Sequence, residues 1–188
     1  WLPDIMRSLH KKYPDSEIEV FQGTYDDVTY WLKNGVVDLG FLSTSSAKDI
    51  PIEPLWRDPL LCIVPKGMKK QKKTDYMDIE EIRNHQFVTQ RESTDADIQN
   101  FLKENSINIQ SNYHVVDDLS TVAMVANGFG ICLMPQMVMR DIPSEADCYP
   151  VQPYAERVIG LATLHPEFLA PAVRSMYNHI LENYKEDF

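Results

Sequence analysis

The sequence predicts an α/β protein of two Rossmann-like lobes with a cleft between them, and three observations predict it. A helix beginning at paired aspartates, running into Asn-Gly and then into a short apolar strand, occurs twice, from Asp26-Asp27 to Ser43 and from Asp117-Asp118 to Pro135. In the first copy Val28, Trp31 and Leu32 form the inner stripe before Asn34-Gly35 and the strand Val36 to Leu42. In the second, Leu119, Val122, Ala123 and Val125-Ala126 precede Asn127-Gly128 and the strand Phe129 to Met134. Each glycine supplies the left-handed residue that ends a helix. An unbroken apolar strand straight after a helix is the pattern of a parallel sheet covered on both faces. Two copies about ninety residues apart therefore imply two similar halves. The third observation is that strand and helix patterns alternate along the chain, which argues a parallel or mixed sheet in each half.

The elements follow in order. Leu2, Ile5, Met6, Leu9 and Tyr13 recur at helical spacing, with Arg7, Lys11 and Lys12 turned elsewhere, and Pro14-Asp15 ends that amphipathic helix. Glu17 to Phe21 alternates as a strand with one more polar face, and Gly23-Thr24 introduces the first repeated helix. Ser43 to Pro54 is polar and proline-punctuated, and Leu60 to Val64, bounded by Pro59 and Pro65, is a buried strand. Asp78 to Asn84 reads as a short helix, Gln86 to Thr89 as a strand, Thr94 to Asn105 as a helix and Tyr113 to Val116 as a strand. After the second repeat, Gln136 to Arg140 is a short helix and Val158 to Leu164 an apolar strand. Phe168, Leu169, Val173, Met176, Tyr177, Ile180, Leu181 and Tyr184 mark a long amphipathic final helix.

Composition bounds the function. A chain of 188 residues with 44% hydrophobic and 10% aromatic side chains can bury one large core or two small ones. A net charge of −10 disfavours direct binding to a phosphate backbone, which is driven by Lys and Arg displacing counterions. No apolar run approaches membrane-spanning length and no secretion signal opens the chain, so no membrane partner is expected. The first residues read as helix where an α/β lobe ordinarily begins with a strand, so a preceding strand is expected outside this chain. The basic cluster Lys66, Lys69, Lys70, Lys72 and Lys73 reads as a solvated loop. Cys62, Cys132 and Cys148 have no metal spacing, and reduced thiols in a cytoplasmic protein account for them.

Taken together these residues resemble the effector-binding domain of LysR-type transcriptional regulators, a type 2 periplasmic-binding-protein-like fold. Leu2-Pro3, Leu9, Tyr13-Pro14, Ile18, Val20 and Gly23 look like that family's opening helix and second strand. The stretch Leu32 to Gly40 resembles its L-x-x-G-x-x-D-L segment, and Val125 to Pro135 its V-x-x-G-x-G-I-x-x-x-P segment. The resemblance covers essentially the whole chain and lacks the family's N-terminal winged helix-turn-helix, linker helix and first strand. It implies lobe I over residues 1–67, lobe II over 68–156 and a return to lobe I over 157–188, with the two crossovers as a hinge. It further implies a small-molecule effector, a homo-oligomer that is a dimer here and a tetramer when full length, and DNA contact only through the missing N-terminal domain. The dimer it implies sets the first helix of one subunit against lobe II of its partner.

Physical reasoning points to the same place, because ligands of open α/β sheets sit beyond the carboxyl ends of the strands. The candidate effector-binding residues are therefore Ser43, Thr44, Arg91, Ser93, Thr94, Asp118, Ser120, His165 and Phe168. Each has a duller reading. Thr24 with Asp27 and Thr94 with Asp97 fit helix N-caps, Asp117 or Asp118 fits a cap, and Ser43 to Ser46 fits a plain polar turn. Carboxylates at Glu92, Asp95, Asp97, Asp117 and Asp118 already occupy helix starts, which weakens the default of an anionic effector and leaves a polar or cationic one open.

Catalysis is not expected. His10, His85, His114, His165 and His179 are scattered without metal-site spacing, Gly128-Phe129-Gly130 is too short for a dinucleotide fingerprint, and Cys132 lies inside an apolar strand. No cofactor or metal is implied. A solute-binding protein serving a transporter is the alternative of the same fold, and an enzyme of this architecture is a distant third.

Overall fold

A computed structural model describes residues 1–186 apart from 48, 72, 91–95, 110, 141, 143 and 144. The chain forms two compact units, one of Trp1–Trp56 with Val158–Phe188 and one of Arg57–Arg157. The boundary falls within a strand, not after it near residue 67. That strand is β2 (Ile52–Pro65), which begins eight residues before the apolar run and contains Pro54 and Pro59. Proline lacks only its own donor, so it is tolerated wherever the ladder does not call on that group.

In the first unit, β1 (Gly40–Ser43) pairs antiparallel with β8 (Glu156–Ala162), from Gly40 opposite Ala162 to Ser43 opposite Ile159. Alternation along these strands feeds two cores. Phe41 and Leu161 pack with Ile5 and Leu9 of α1 (Leu2–Lys12) and Ile180 of α7 (Pro171–Tyr184). Leu42 and Ala162 pack on the other face with Leu32 of α2 (Tyr25–Lys33). Thr24 and Asp27 close a reciprocal capping box at the start of α2, and the hydrogen bonds from Thr24 hold the Asp27 carboxyl below its ordinary range.

Residues 17–21 do not form the strand read from the sequence. They run without a ladder partner among the described residues, with Val20 and Phe21 exposed at 56% and 43%. Alternation alone does not make a strand; a neighbouring backbone must accept its hydrogen bonds.

The second unit repeats the two-faced plan. Strand β2 pairs antiparallel with both β6 (Cys132–Pro135) and β7 (Ala146–Gln152), and β7 pairs parallel with β3 (Met77–Asp78). The sequence raised no expectation for β7, whose exposed alternate residues leave no apolar run. Strand β4 (Val88–Gln90) pairs parallel with β5 (Tyr113–Val115), and Phe87 bridges Ile131 in parallel. Leu60, Cys62, Val64, Phe87 and Leu133 face α3 (Ile79–Arg83) and α4 (Ala96–Glu104), while Ile63, Val88, Cys132 and Met134 face α5 (Asp118–Ala126). Cys62 and Cys132 are buried and Cys148 is exposed.

Both repeated helices end as the sequence predicts, with Gly35 at φ 65° and Gly128 at φ 83°. Gly130 is the tighter position. Its φ is 149°, and a Cβ there would lie 2.4 Å from the carbonyl oxygen of Gln86.

Charged residues gather where the chain crosses between units. The wholly buried Asp58 accepts from Nε of Arg157 at 2.9 Å through one oxygen, and from the Met137 amide at 2.8 Å, at the start of α6 (Gln136–Arg140), through the other. Beside it Arg57 pairs with Glu156, whose second oxygen accepts from the Tyr154 hydroxyl at 2.6 Å. Those bonds depress the Glu156 carboxyl and raise the Tyr154 hydroxyl to about 12.

Two predictions follow from burial. Arg157→Met strips a buried carboxylate of its cation and should lower stability to urea by about 3–5 kcal/mol; a loss under about 1 kcal/mol would show the pair to be dispensable. Gly130→Ala should cost roughly 1–3 kcal/mol from backbone strain, with the Gln86 clash added. An unchanged melting temperature would refute that crowding.

Candidate functional site

Within the second unit, β4, β5 and β6 run in one direction, so Gln90, Val115 and Pro135 lie at a common end. Helix α5 starts there. Its N-cap is Asp117, whose carboxylate accepts from the Ser120 amide at 2.8 Å and is held below its usual range by that bond. Capping thus occupies Asp117 and leaves Asp118 for other work.

Asp118 instead accepts from Gln90 Nε2 at 2.5 Å. The same amide nitrogen lies 3.4 Å from the hydroxyl of Thr121 and 4.0 Å from the Met134 sulfur. Thr121 is buried and donates its hydrogen to the Asp117 carbonyl at 2.7 Å. Thr89, pointing the other way from β4, joins His114 Nδ1 at 2.9 Å. This end of the unit is also the crossover end, since Pro135 leads into α6 and its Met137 amide on Asp58.

In the first unit Ser43 closes β1 and is fully buried, its hydroxyl 3.0 Å from that of Ser45. Thr44 follows in the turn, half-buried, with its amide on the Val158 carbonyl at 2.8 Å. Val158 is the first residue of this unit after the return crossover, so the turn lies at the crossover end here too.

His165 and Phe168 do not join Ser43 and Thr44. They follow Ala162, which pairs with Gly40 at the start of β1, whereas Ser43 pairs with Ile159. Antiparallel pairing puts the carboxyl ends of β1 and β8 at opposite ends of the ladder, and the expectation that all strand ends converge fails for β8 on that account. His165 is exposed and leads a short 3-10 turn over Pro166–Phe168, with Phe168 81% exposed. Arg91, Ser93 and Thr94 lie outside the described residues.

Sequence reasoning missed Gln90 and Thr121. The apolar pattern of the strand ends at Thr89, one residue short of Gln90. Thr121 was available as the residue one turn beyond the aspartates, on the face that α5 presents to β4.

Among the described residues, the second unit holds a small cavity and an open one. A space of about 30 Å³ touches Thr89, Gln90, Thr121 and Ile98, room for one or two waters. An open, polar one of about 520 Å³ is bordered by Arg83, Asn84, His85, Gln86 and Asn112, at the opposite end of β4 from Gln90. No group of three or more His, Cys, Asp or Glu suited to a metal ion occurs among the described residues, and no helix there is long and apolar enough to cross a membrane.

Comparison with known proteins places this geometry. Residues 1–185 match the LysR substrate binding domain family. An uncharacterized HTH-type transcriptional regulator of Bacillus subtilis strain 168, YoaU, is 22% identical over 91% of this chain and 58% of its own length. The chain spans about six tenths of the length of curated relatives that it matches. The effector binding domain of QuiR in complex with shikimate superposes with a TM-score of 0.82 at 22% identity, covering 96% of this chain and 88% of that one. The regulatory domain of CcmR from Synechocystis PCC6803 in complex with 2-PG gives 0.88 at 16% identity, covering 98% and 91%. Those likenesses establish the shared fold, and the match along nearly its full length shows that the chain belongs to the LysR substrate binding domain family.

Proposed function

We propose that this chain is the effector-sensing part of a cytoplasmic LysR-type transcriptional regulator, without enzymatic activity of its own. The observation that carries the reading is that, in a chain of this family, each unit sets a polar strand end at the crossover: the Ser43-Thr44 turn in one, and Gln90, Asp118 and Ser120 in the other. A small molecule that binds one conformation of the chain better than another shifts the conformational equilibrium by its differential affinity, and the shift reaches the DNA-binding part of the protein. Ser43, being wholly buried, shapes the turn, and Thr44 is the contact residue. DNA contact belongs to an N-terminal helix-turn-helix segment, in keeping with the net charge of −10 on this chain and with the curated relatives, which are HTH-type regulators. The transporter alternative finds no support among those relatives.

Self-association completes the reading. Val116 and Leu119 at the start of α5 and Phe129 after it are 58%, 60% and 44% exposed in the second unit, and Val20 and Phe21 are partly exposed in the first. The apolar surface at α5 suits a homodimer in which the first helix of one subunit meets the second unit of its partner, with tetramers in the full-length protein.

A thermal-shift screen of small metabolites tests the sensor. A ligand at about a hundred times its dissociation constant adds roughly 2.7 kcal/mol of stability, and Thr44→Val should abolish the shift while leaving the unliganded melting temperature in place. Stabilisation that survives this change would remove Thr44 from the site, and a screen without any shift would count against sensing. Leu119→Asp should weaken self-association in sedimentation equilibrium. An unchanged assembly would move the interface elsewhere.

A further inference from the structure

The polar atoms at the carboxyl end of β4 are arranged so that their hydrogens are already committed. A carboxylate has only acceptors to offer, so the Gln90 amide must turn its NH2 toward Asp118. Thr121 enforces the same choice independently. Its one hydroxyl hydrogen is donated to the Asp117 carbonyl, which leaves Oγ1 an acceptor facing that same NH2. Two neighbours thus fix the amide orientation, and Gln90 Oε1 is turned away from both. Asp118, half-buried at the first position of α5, has a second carboxylate oxygen that likewise can only accept. Gln90 and Asp118 therefore present a pair of acceptors.

We infer that Gln90 and Asp118 form a selectivity element that takes an N–H or O–H donor group of the effector, a protonated amine or a polyol, and rejects a carboxylate at this wall. The inference rests on the proposed sensing function and adds to it the chemical class of the ligand. A carboxylate brought to these atoms would meet like charge and lone pairs with no hydrogen to share. An ammonium or guanidinium gains a charge-assisted bond, and a hydroxyl gains a neutral one. Asp118 is the contact that selects by charge. Gln90 has a second part, since its amide holds the Asp118 carboxylate in place.

The test compares ligands of matched skeleton on the full-length protein: putrescine against succinate, benzylamine against benzoate, and myo-inositol against cyclohexanecarboxylate, each titrated calorimetrically and by thermal shift. The donor-bearing member of at least one pair should bind more tightly than its acid. Asp118→Asn, which keeps an acceptor for Gln90 and removes the charge, should weaken an amine about tenfold or more and a polyol less. Gln90→Met should weaken both. Unliganded melting temperatures of the two variants separate lost binding from lost folding. Preference for the carboxylate member, or amine binding untouched by Asp118→Asn, overturns the selectivity element and leaves the sensor standing. If no member of any pair binds, the selectivity element is refuted, while the broader metabolite screen decides the sensor separately.

Discussion

In each unit of this protein the central strands are buried on both faces, and nearly everything else follows from that. Successive residues of β1, β2, β6 and β8 enter opposite cores, so these strands offer polar chemistry no exposed face, while β7 keeps its exposed alternate residues. What remains open is the strand ends. There the backbone must be satisfied by side chains and helix starts, and there the polar residues gather: Ser43 and Thr44 in one unit, Gln90, Asp118 and Thr121 in the other. The same constraint explains the crowding at Gly130, where the chain must pass close to the backbone at Gln86 before β6 can enter the sheet.

The crossover segments meet a different requirement. Strand β2 and the start of β8 carry charges in adjacent positions, Arg57-Asp58 on one and Glu156-Arg157 on the other, crossed so that each cation meets an acid. The Asp58 pair is buried and takes in an amide of α6, so it ties a helix start to both passing strands. Burying such charges is expensive unless every oxygen is used, and here both oxygens of Asp58 are. The exposed Arg57 pair contributes little to stability by comparison.

Much of the fold was legible in the sequence because helix ends and buried strands leave strong local marks. The Asn-Gly exits at Gly35 and Gly128 and the capping box of Thr24 with Asp27 stand where their residues put them, and the apolar runs overlap β2, β6 and β8, whose ends differ from the runs by several residues. What was not legible depended on partners. Residues 17–21 alternate well and form no strand, β7 forms a strand without an apolar run, and the direction of β8 is decided by pairing with β1. The candidate site shares that dependence: Asp118 and Ser120 are marked by a helix start, whereas the expectation for His165 and Phe168 needs a parallel strand. Gln90 escaped notice because its meaning lies in Asp118 and Thr121, distant in sequence.

The distribution of thiols has a practical side. Cys148 is the one cysteine that a reagent reaches in the folded chain, and burial together with Asp147 keeps its thiol above the ordinary value, so labelling proceeds best in mildly alkaline solution. Cys62 and Cys132 sit on neighbouring strands inside opposite cores of the second unit, with their thiols raised further by burial. Once Cys148 is blocked, the rate at which the other two are alkylated becomes a clock for the opening of that sheet, readable by mass without any engineered probe.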